Sequence, residues 1–291
     1  MKIIRTVKEM QKIACNVLQE SKTIGFVPTM GFFHEGHISL MKEAKKENDF
    51  VITSIFVNPL QFGPNEDYER YPRDEGKDIK LAELAGVDFV FIPDAQDMYP
   101  RKMIINLDVL DRVNVLCGRS RPGHFQGVVT VLTKLFLIVQ PTKTYFGRKD
   151  AQQVAVVNAL IEDFNFPIEL VALPTVREED GLAKSSRNVN LSQHEREDAP
   201  WINKSLQKGR QLVVDGEKNP DIVVKEVSDT LQFHTNAKID YVELLSYPDL
   251  QPVSVIDQQI ILATAVYFDG ARLIDNILMD CDGNFVERIF T

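Results

Sequence analysis

Cysteine is scarce. The 291 residues hold three, Cys15, Cys117 and Cys281, an odd number without CxxC spacing. That excludes a disulfide framework and fits reduced thiols. Long apolar runs are missing too. None approaches the ~18 residues that a membrane helix needs, and the nearest, residues 127–139, carries Lys134 in its middle. The opening MKIIRTVKEMQKIA is charged throughout and has no secretory apolar stretch, so a cytoplasmic location is expected. Positive charge is in deficit, with 33 Lys and Arg against 42 Asp and Glu, a net charge of −9 and a pI near 5.2. That balance disfavours a polyanion-binding surface, so neither nucleic acid nor membrane is an expected partner. There is no internal repeat and no low-complexity tract.

What is present is ample core material. Hydrophobic residues make up 44% and charged residues 26%, the balance of a soluble globular protein. The length allows one large domain or two ordinary ones. Strand and helix patterns alternate through residue 175. Strands are expected at 23–27, 50–57, 87–92, 144–146 and 168–173, with helices at 37–47, 77–85, 128–138 and 151–164. Continuous apolar strands such as FVITSIFV between helices imply a parallel sheet covered on both faces. Such sheets bind ligands outside the carboxyl ends of their strands. After residue 187 the pattern changes. Helices at 194–214 and 221–235 and strands at 239–245, 259–268 and 273–278 suggest a smaller α+β domain with antiparallel pairing.

Residues 23–37, TIGFVPTMGFFHEGH, carry the sharpest signal. A strand stops at Pro28, a small-residue turn follows, and HEGH opens a helical pattern. Unpaired N–H groups at a helix start form a ready anion site. His34 and His37, spaced i, i+3, would lie on one face of that first turn. Gly36 lets another group approach the backbone closely. A phosphate site, a metal pair and a purely structural histidine pair all remain open on this spacing. The HExxH pattern of metalloproteases needs i, i+4, and no cysteine cluster stands nearby.

Further loops follow strands. Residues 56–63, FVNPLQFG, place Asn58 and Gln61 at a sheet edge, where amides suit carboxylates and hydroxyls or simply form an Asn-Pro turn. Residues 118–127, GRSRPGHFQG, hold Arg121 and His124 among glycines, and arginine forks suit carboxylates and phosphates. In FGRKDAQQ, residues 146–153, Lys149 is placed to bind phosphate and Asp150 either caps a helix or accepts from a ribose. REEDGLAKSSR, residues 177–187, offers Lys184, Ser185, Ser186 and Arg187 on a loop that is otherwise a solvated linker.

Taken together and in order, these loops resemble the pantoate–β-alanine ligase family, over nearly the whole chain. The matching motifs are PTMGxxHxGH at 28–37, SIFVNPxQFGPNED at 54–67, YPR at 71–73, RPGHFxGVVTVxxKLF at 121–136, YFGxKDxQQ at 145–153 and VREEDGLAxSSRN at 176–188. The resemblance implies a Rossmann-like doubly wound parallel sheet of the HxGH nucleotidyltransferase type, related in fold to class I aminoacyl-tRNA synthetases, with a smaller C-terminal α+β domain. The boundary is expected at 178/179, between an ATP- and pantoate-binding domain and a lid domain. It implies ATP-dependent condensation of (R)-pantoate with β-alanine, with Mg2+, in a homodimer.

Residue by residue, the resemblance implies that His34 and His37 contact ATP phosphates, with His37 as proton donor. Met30, Gly31, Phe32, Phe33, Glu35 and Gly36 complete the first nucleotide loop. Gly147, Arg148, Lys149, Asp150 and Val176 would contact ATP, and Lys184, Ser185, Ser186 and Arg187 would close over its phosphates. Gln61 would hold pantoate and mark the β-alanine site, and Gln153 would bind pantoate from the other side; the loop residues Asn58, Arg121 and His124 are further candidate substrate-binding groups. Asp78 is the candidate magnesium ligand. Three departures stand out: Arg148 where the family commonly has Glu, Lys184 where it has Met or Leu, and Lys77 before Asp78, which leaves the acidic helix one carboxylate short. The alternative, another HxGH nucleotidyltransferase acting on a small acid, lacks a reason for both Gln61 and Gln153. An ATP-sensing binding module is the non-enzymatic alternative.

Overall fold

The computed structural model describes residues 1–63, 66, 68–286 and 289, so Pro64, Asn65 and Asp67 of the NPxQFGPNED motif lie outside the described residues. The chain forms two compact units. The first holds residues 1–110, 121–147 and 156–173, the second residues 111–120, 148–155 and 174–291. The last division falls at residues 173/174, where a single boundary at 178/179 was expected from sequence. Two short segments, 111–120 and 148–155, join the second unit, which local pattern could not reveal.

The first unit is built on a six-stranded sheet: β1 (Lys2–Ile4), β2 (Ile24–Thr29), β3 (Phe50–Ile55), β4 (Phe89–Phe91), β5 (Lys143–Gly147) and β6 (Glu169–Leu173). The order is β1-β4-β3-β2-β5-β6, and every pairing is parallel. The helices are α1 (Val7–Gln19), α2 (Glu35–Glu47), α3 (Glu75–Leu84), the short α4 (Ala95–Met98) and α5 (Leu116–Ser120, which belongs to the second unit), α6 (His124–Val139) and α7 (Ala151–Asp163), whose first five residues belong to the second unit. Val27, Val51, Val90 and Tyr145 pack against Leu40, Met41 and Ala44 of α2 and Ala82 of α3. Their strand neighbours Phe26, Ile52 and Phe91 are fully buried as well, as expected of a sheet covered on both faces. The strand order reverses at β2, with β3 on one side and β5 on the other. Ligands of such sheets sit beyond the carboxyl ends at that switch point, here Thr29 and Gly147.

β1, α1 and the short α4 and α5 escaped the sequence pattern. β1 is a three-residue edge strand paired to β4, and α1 buries Met10, Ala14 and Val17 from a stretch that reads as charged.

The second unit holds α8 (Gln193–Asp198), α9 (Trp201–Val214), α10 (Pro220–His234) and an antiparallel sheet β7 (Lys238–Ser246), β8 (Ile260–Tyr267), β9 (Arg272–Met279). The single helix expected at 194–214 is two, because Pro200 cannot continue α8. Ile202, Leu206, Val227 and Leu231 bury against Leu262, Leu273 and Ile277. Among the described residues no helix is long and apolar enough to cross a membrane.

Candidate active site

In the first unit the chain leaves β2 through a strained turn. Thr29 bonds its hydroxyl to the Ser54 carbonyl at 2.6 Å and accepts the Gly31 amide at 3.1 Å. Gly31 (φ 83°) and Phe32 (φ 52°) are both left-handed, a conformation that only glycine adopts freely. The turn is held by Asp78 on α3. Its two carboxylate oxygens accept the Phe32 and Phe33 amides, each at 2.7 Å. Asp78 is 1% exposed, and burial raises its pKa although the two amide bonds pull the other way.

That clamp delivers the chain to α2. His34 is the N-cap rather than a member of the first turn, so the two histidines do not simply share a helix face. His34 Nδ1 accepts the Gly36 amide at 3.1 Å, and His37 Nδ1 accepts the His34 amide at 3.4 Å. The rings lie 4.1 Å apart. The group that Gly36 lets approach is the His34 ring, since a Cβ there would meet it at 2.8 Å. With Nδ1 accepting in each ring, the proton of the neutral imidazole sits on Nε2. In that state the donor of each ring is its Nε2–H, and the rings sit at a helix N-terminus, where the backbone field favours an anion.

Beside it, the 3-10 turn Pro59–Gln61 forms a second built feature. Asn58 is 1% exposed and its amide is fully engaged: it donates to Gln61 Oε1 (3.2 Å) and the Gly127 carbonyl (3.0 Å) and accepts from Tyr99 (2.9 Å). Gln61 in turn donates to Met30 Sδ at 3.0 Å. His124 Nδ1 bonds the Gln61 carbonyl at 2.9 Å, and Arg121 contacts His124 at 3.1 Å while forking onto Glu66. Burial pushes the Glu66 carboxyl up, but the bonds and charge of Arg121 win and hold it low. Gly127 is required because a Cβ there would strike the Leu60 carbonyl at 2.2 Å. The structure thus brings Met30, Asn58, Gln61, Arg121 and His124 together. It also makes Asn58, Arg121 and His124 the scaffold of Gln61, with Tyr99 and Glu66 as partners that local sequence does not reveal. A larger cavity of about 680 Å3, lined by Leu60, Tyr99, Met103, Ile104 and Thr130 among others, contains none of the candidate residues.

In the second unit Arg148, Lys149 and Asp150 form a 3-10 turn running into α7. Arg148 donates to the Val286 carbonyl at 2.5 Å. The adjacent glutamines divide their work. Gln152 is buried and donates to the Arg112 and Val115 carbonyls at 2.8 and 2.9 Å. Gln153, its neighbour on α7, is half-buried. Residues 176–184 form a tight hairpin: Lys184 N donates to the Val176 carbonyl (2.9 Å), Glu178 N to the Leu182 carbonyl (2.8 Å), and Gly181 turns the corner at φ 95°. Lys184 pairs with Glu178 at 2.5 Å, which offsets the charge this departure adds. Ser185 caps the following turn by accepting the Arg187 amide at 3.3 Å, and Ser186 is buried. Lys149, Ser185 and Asp275 line one cavity of about 10 Å3, room for a single water.

Magnesium finds no cage of side chains. The described residues hold no group of three or more His, Cys, Asp or Glu able to take a metal ion. Both oxygens of Asp78 accept backbone amides, which makes it the clamp of this loop.

The sequence model described as Pantoate-beta-alanine ligase matches residues 2–278. A pantothenate synthetase of Geobacillus sp. (strain WCH70) is 58% identical over 274 residues, 94% of this chain and 97% of that protein. Among solved structures, the pantothenate synthetase of Thermus thermophilus superimposes with a TM-score of 0.90 at 42% identity, covering 95% of this chain and 99% of that one. The pantoate-beta-alanine ligase of Francisella tularensis, described as complexed with beta-gamma ATP and beta-alanine, gives 0.77 at 38% identity, covering 96% and 97%. The chain belongs to the pantoate-beta-alanine ligase family.

Proposed function

We propose that this chain, a ligase that condenses pantoate with β-alanine at the expense of ATP, works in two half-reactions through a pantoyl adenylate. In the first, a pantoate carboxylate oxygen attacks the α-phosphorus of Mg-ATP. The bond from that phosphorus to the α–β bridging oxygen breaks, and pyrophosphate leaves. In the second, the β-alanine amine attacks the acyl carbon, the bond to AMP breaks, and the nitrogen loses a proton. Magnesium enters with the nucleotide, as part of the substrate.

Negative charge grows on the phosphate oxygens in the first step, so preorganised donors dominate its acceleration. The proposed donors are His34 and His37 in the first unit and Lys149, Ser185, Ser186 and Arg187 in the second, with Lys184 on the nucleotide; His37 takes the proton-donor role that the resemblance implies, passing a proton as imidazolium to the departing pyrophosphate oxygen. Residues 30–37 and Gly147, Arg148, Asp150 and Val176 are assigned to the nucleotide. Gln61 and Gln153 are assigned to pantoate, with Asn58, Arg121 and His124 acting through Gln61. We place the reaction in the cytoplasm, as the cysteine usage suggests, and the chain in a homodimer, as the family resemblance implies.

The observation that carries the reading is the histidine pair: two rings 4.1 Å apart, each with Nδ1 on a backbone amide, at the start of α2 beyond β2. The test is steady-state product analysis with each acid omitted in turn. Sustained AMP and pyrophosphate release should need both acids. Release of ADP, or sustained turnover without β-alanine, would point to another nucleotidyltransferase or kinase reaction.

A further inference from the structure

β9 reads RLIDNILM, and its centre is occupied by two buried polar residues, Asp275 (2% exposed) and Asn276 (8% exposed). Adjacent strand residues face opposite sides of a sheet. Leu273, Ile277 and Met279 join the core with α9 and α10, which is the Asp275 face. Ile274 and Leu278 join the cluster with Leu116, Ala151 and Ala155, the Asn276 face. Polar groups at such positions cost stability unless each finds partners.

The partners they find are the two loops that hold the second unit's candidate donors. Asp275 takes the Arg177 guanidinium bidentately, at 2.7 and 3.1 Å, and Arg177 also donates to the Gly181 carbonyl at 3.0 Å. Asn203 of α9, turned with its oxygen towards that guanidinium, accepts from it at 2.9 and 3.2 Å. The 176–184 hairpin is thereby fixed to one face of β9. On the other face Asn276 donates to the Arg148 and Lys149 carbonyls, at 3.0 and 2.9 Å. Asn276 N is itself bonded to Asp275 Oδ1 at 2.8 Å, so the two grips share one piece of backbone.

We infer that Asp275 and Asn276 are positioning residues that hold Lys149 and the Ser185 turn in one fixed geometry through opposite faces of β9. The inference rests on the phosphate role proposed above for Lys149. A misplacement of about 1 Å in a transition-state donor costs on the order of 10²-fold in rate.

A double-mutant cycle tests it. Single-turnover pyrophosphate formation is measured in the parent, Asn276→Ala, Lys149→Ala and the double variant, with thermal unfolding followed in each. Asn276→Ala should slow the step roughly 10–100-fold with the pantoate constant little changed, and should have less than about a threefold effect once Lys149 is already Ala. Equal slowing by Asn276→Ala in both backgrounds would overturn the positioning role. If Lys149→Ala alone leaves the rate unchanged, the donor assignment of Lys149 fails instead. Should Asn276→Ala not fold, Asn276→Ser enters the same cycle and is read by the same criterion.

Discussion

Two loops proposed to meet ATP are anchored by buried carboxylates of opposite chemistry. In the first unit Asp78 holds the 30–37 loop through backbone amides alone, and burial raises its pKa. In the second unit Asp275 holds the 176–184 hairpin through a guanidinium, charge against charge. The first clamp has to keep Gly31 and Phe32 in left-handed conformations that the chain would otherwise leave. The second ties down a hairpin that also carries its own cross-strand bonds and the Lys184–Glu178 pair. The left-handed Phe32 and the Phe33 that follows it thus lean on one carboxylate, with the Thr29 hydroxyl holding Gly31, whereas the hairpin shares its anchorage between a guanidinium and its own cross-strand bonds.

The largest expected effect lies at the end of the first loop. His37→Ala should slow adenylation by roughly 10²–10³, the usual cost of one transition-state donor, with the fold intact. Single-turnover rates close to the parent's would remove His37 from the mechanism and with it the functional half of the comparison.

Asp78→Ala should rank next. Freed from its clamp, the left-handed turn relaxes, and adenylation falls by about 10–100-fold through displaced donors. The apparent affinity for magnesium at fixed ATP should stay as in the parent, because the carboxylate serves amides. A large rise in the magnesium requirement would give Asp78 a ligand role.

Gln152 and Gln153 extend the comparison to neighbours. Gln152→Ala removes two buried donors to carbonyls and should cost about 1–3 kcal/mol of stability. Gln153→Ala should leave stability alone and raise the pantoate constant more than the ATP constant. Thermal melts with titrations of each substrate separate the two, and an effect of Gln153→Ala mainly on ATP would count against its assignment.

The smallest effect is expected from replacing all three cysteines by serine. Cys15 is exposed, while half-buried Cys117 contacts Tyr241 (3.3 Å) and Arg272 (3.4 Å) and half-buried Cys281 packs against the second unit's core, so a packing cost is confined to those two sites. Pantothenate-forming activity under reducing conditions should persist. Its loss at unchanged melting temperature would reveal a missed thiol function.

Much of the fold was legible because strands β2 to β6 are apolar runs set between amphipathic helices. β1 and α1 were not, since a three-residue edge strand and a helix with three buried residues barely mark a charged sequence. The loops were legible as motifs, but their internal roles were not. Asn58, Arg121 and His124 look like substrate groups in sequence, yet their bonds run to Gln61, Gly127 and Glu66, up to 69 residues away. Asp78 sits in an acidic helix and suggests a metal, and only the amides 45 and 46 residues earlier disclose the clamp. The departures Arg148 and Lys184 likewise become intelligible through Val286 and Glu178. Local pattern records which residues are present, while long-range hydrogen bonds decide which of them remain for a substrate.

The central claim is that adenylation precedes and does not need the second acid. Rapid-quench analysis of enzyme mixed with Mg-ATP and pantoate alone tests it most directly. The account predicts a burst of pyrophosphate approaching one per active site, an acid-labile pantoyl adenylate beside it, and AMP released only when β-alanine is added. Pyrophosphate that appears only after β-alanine is present would contradict it.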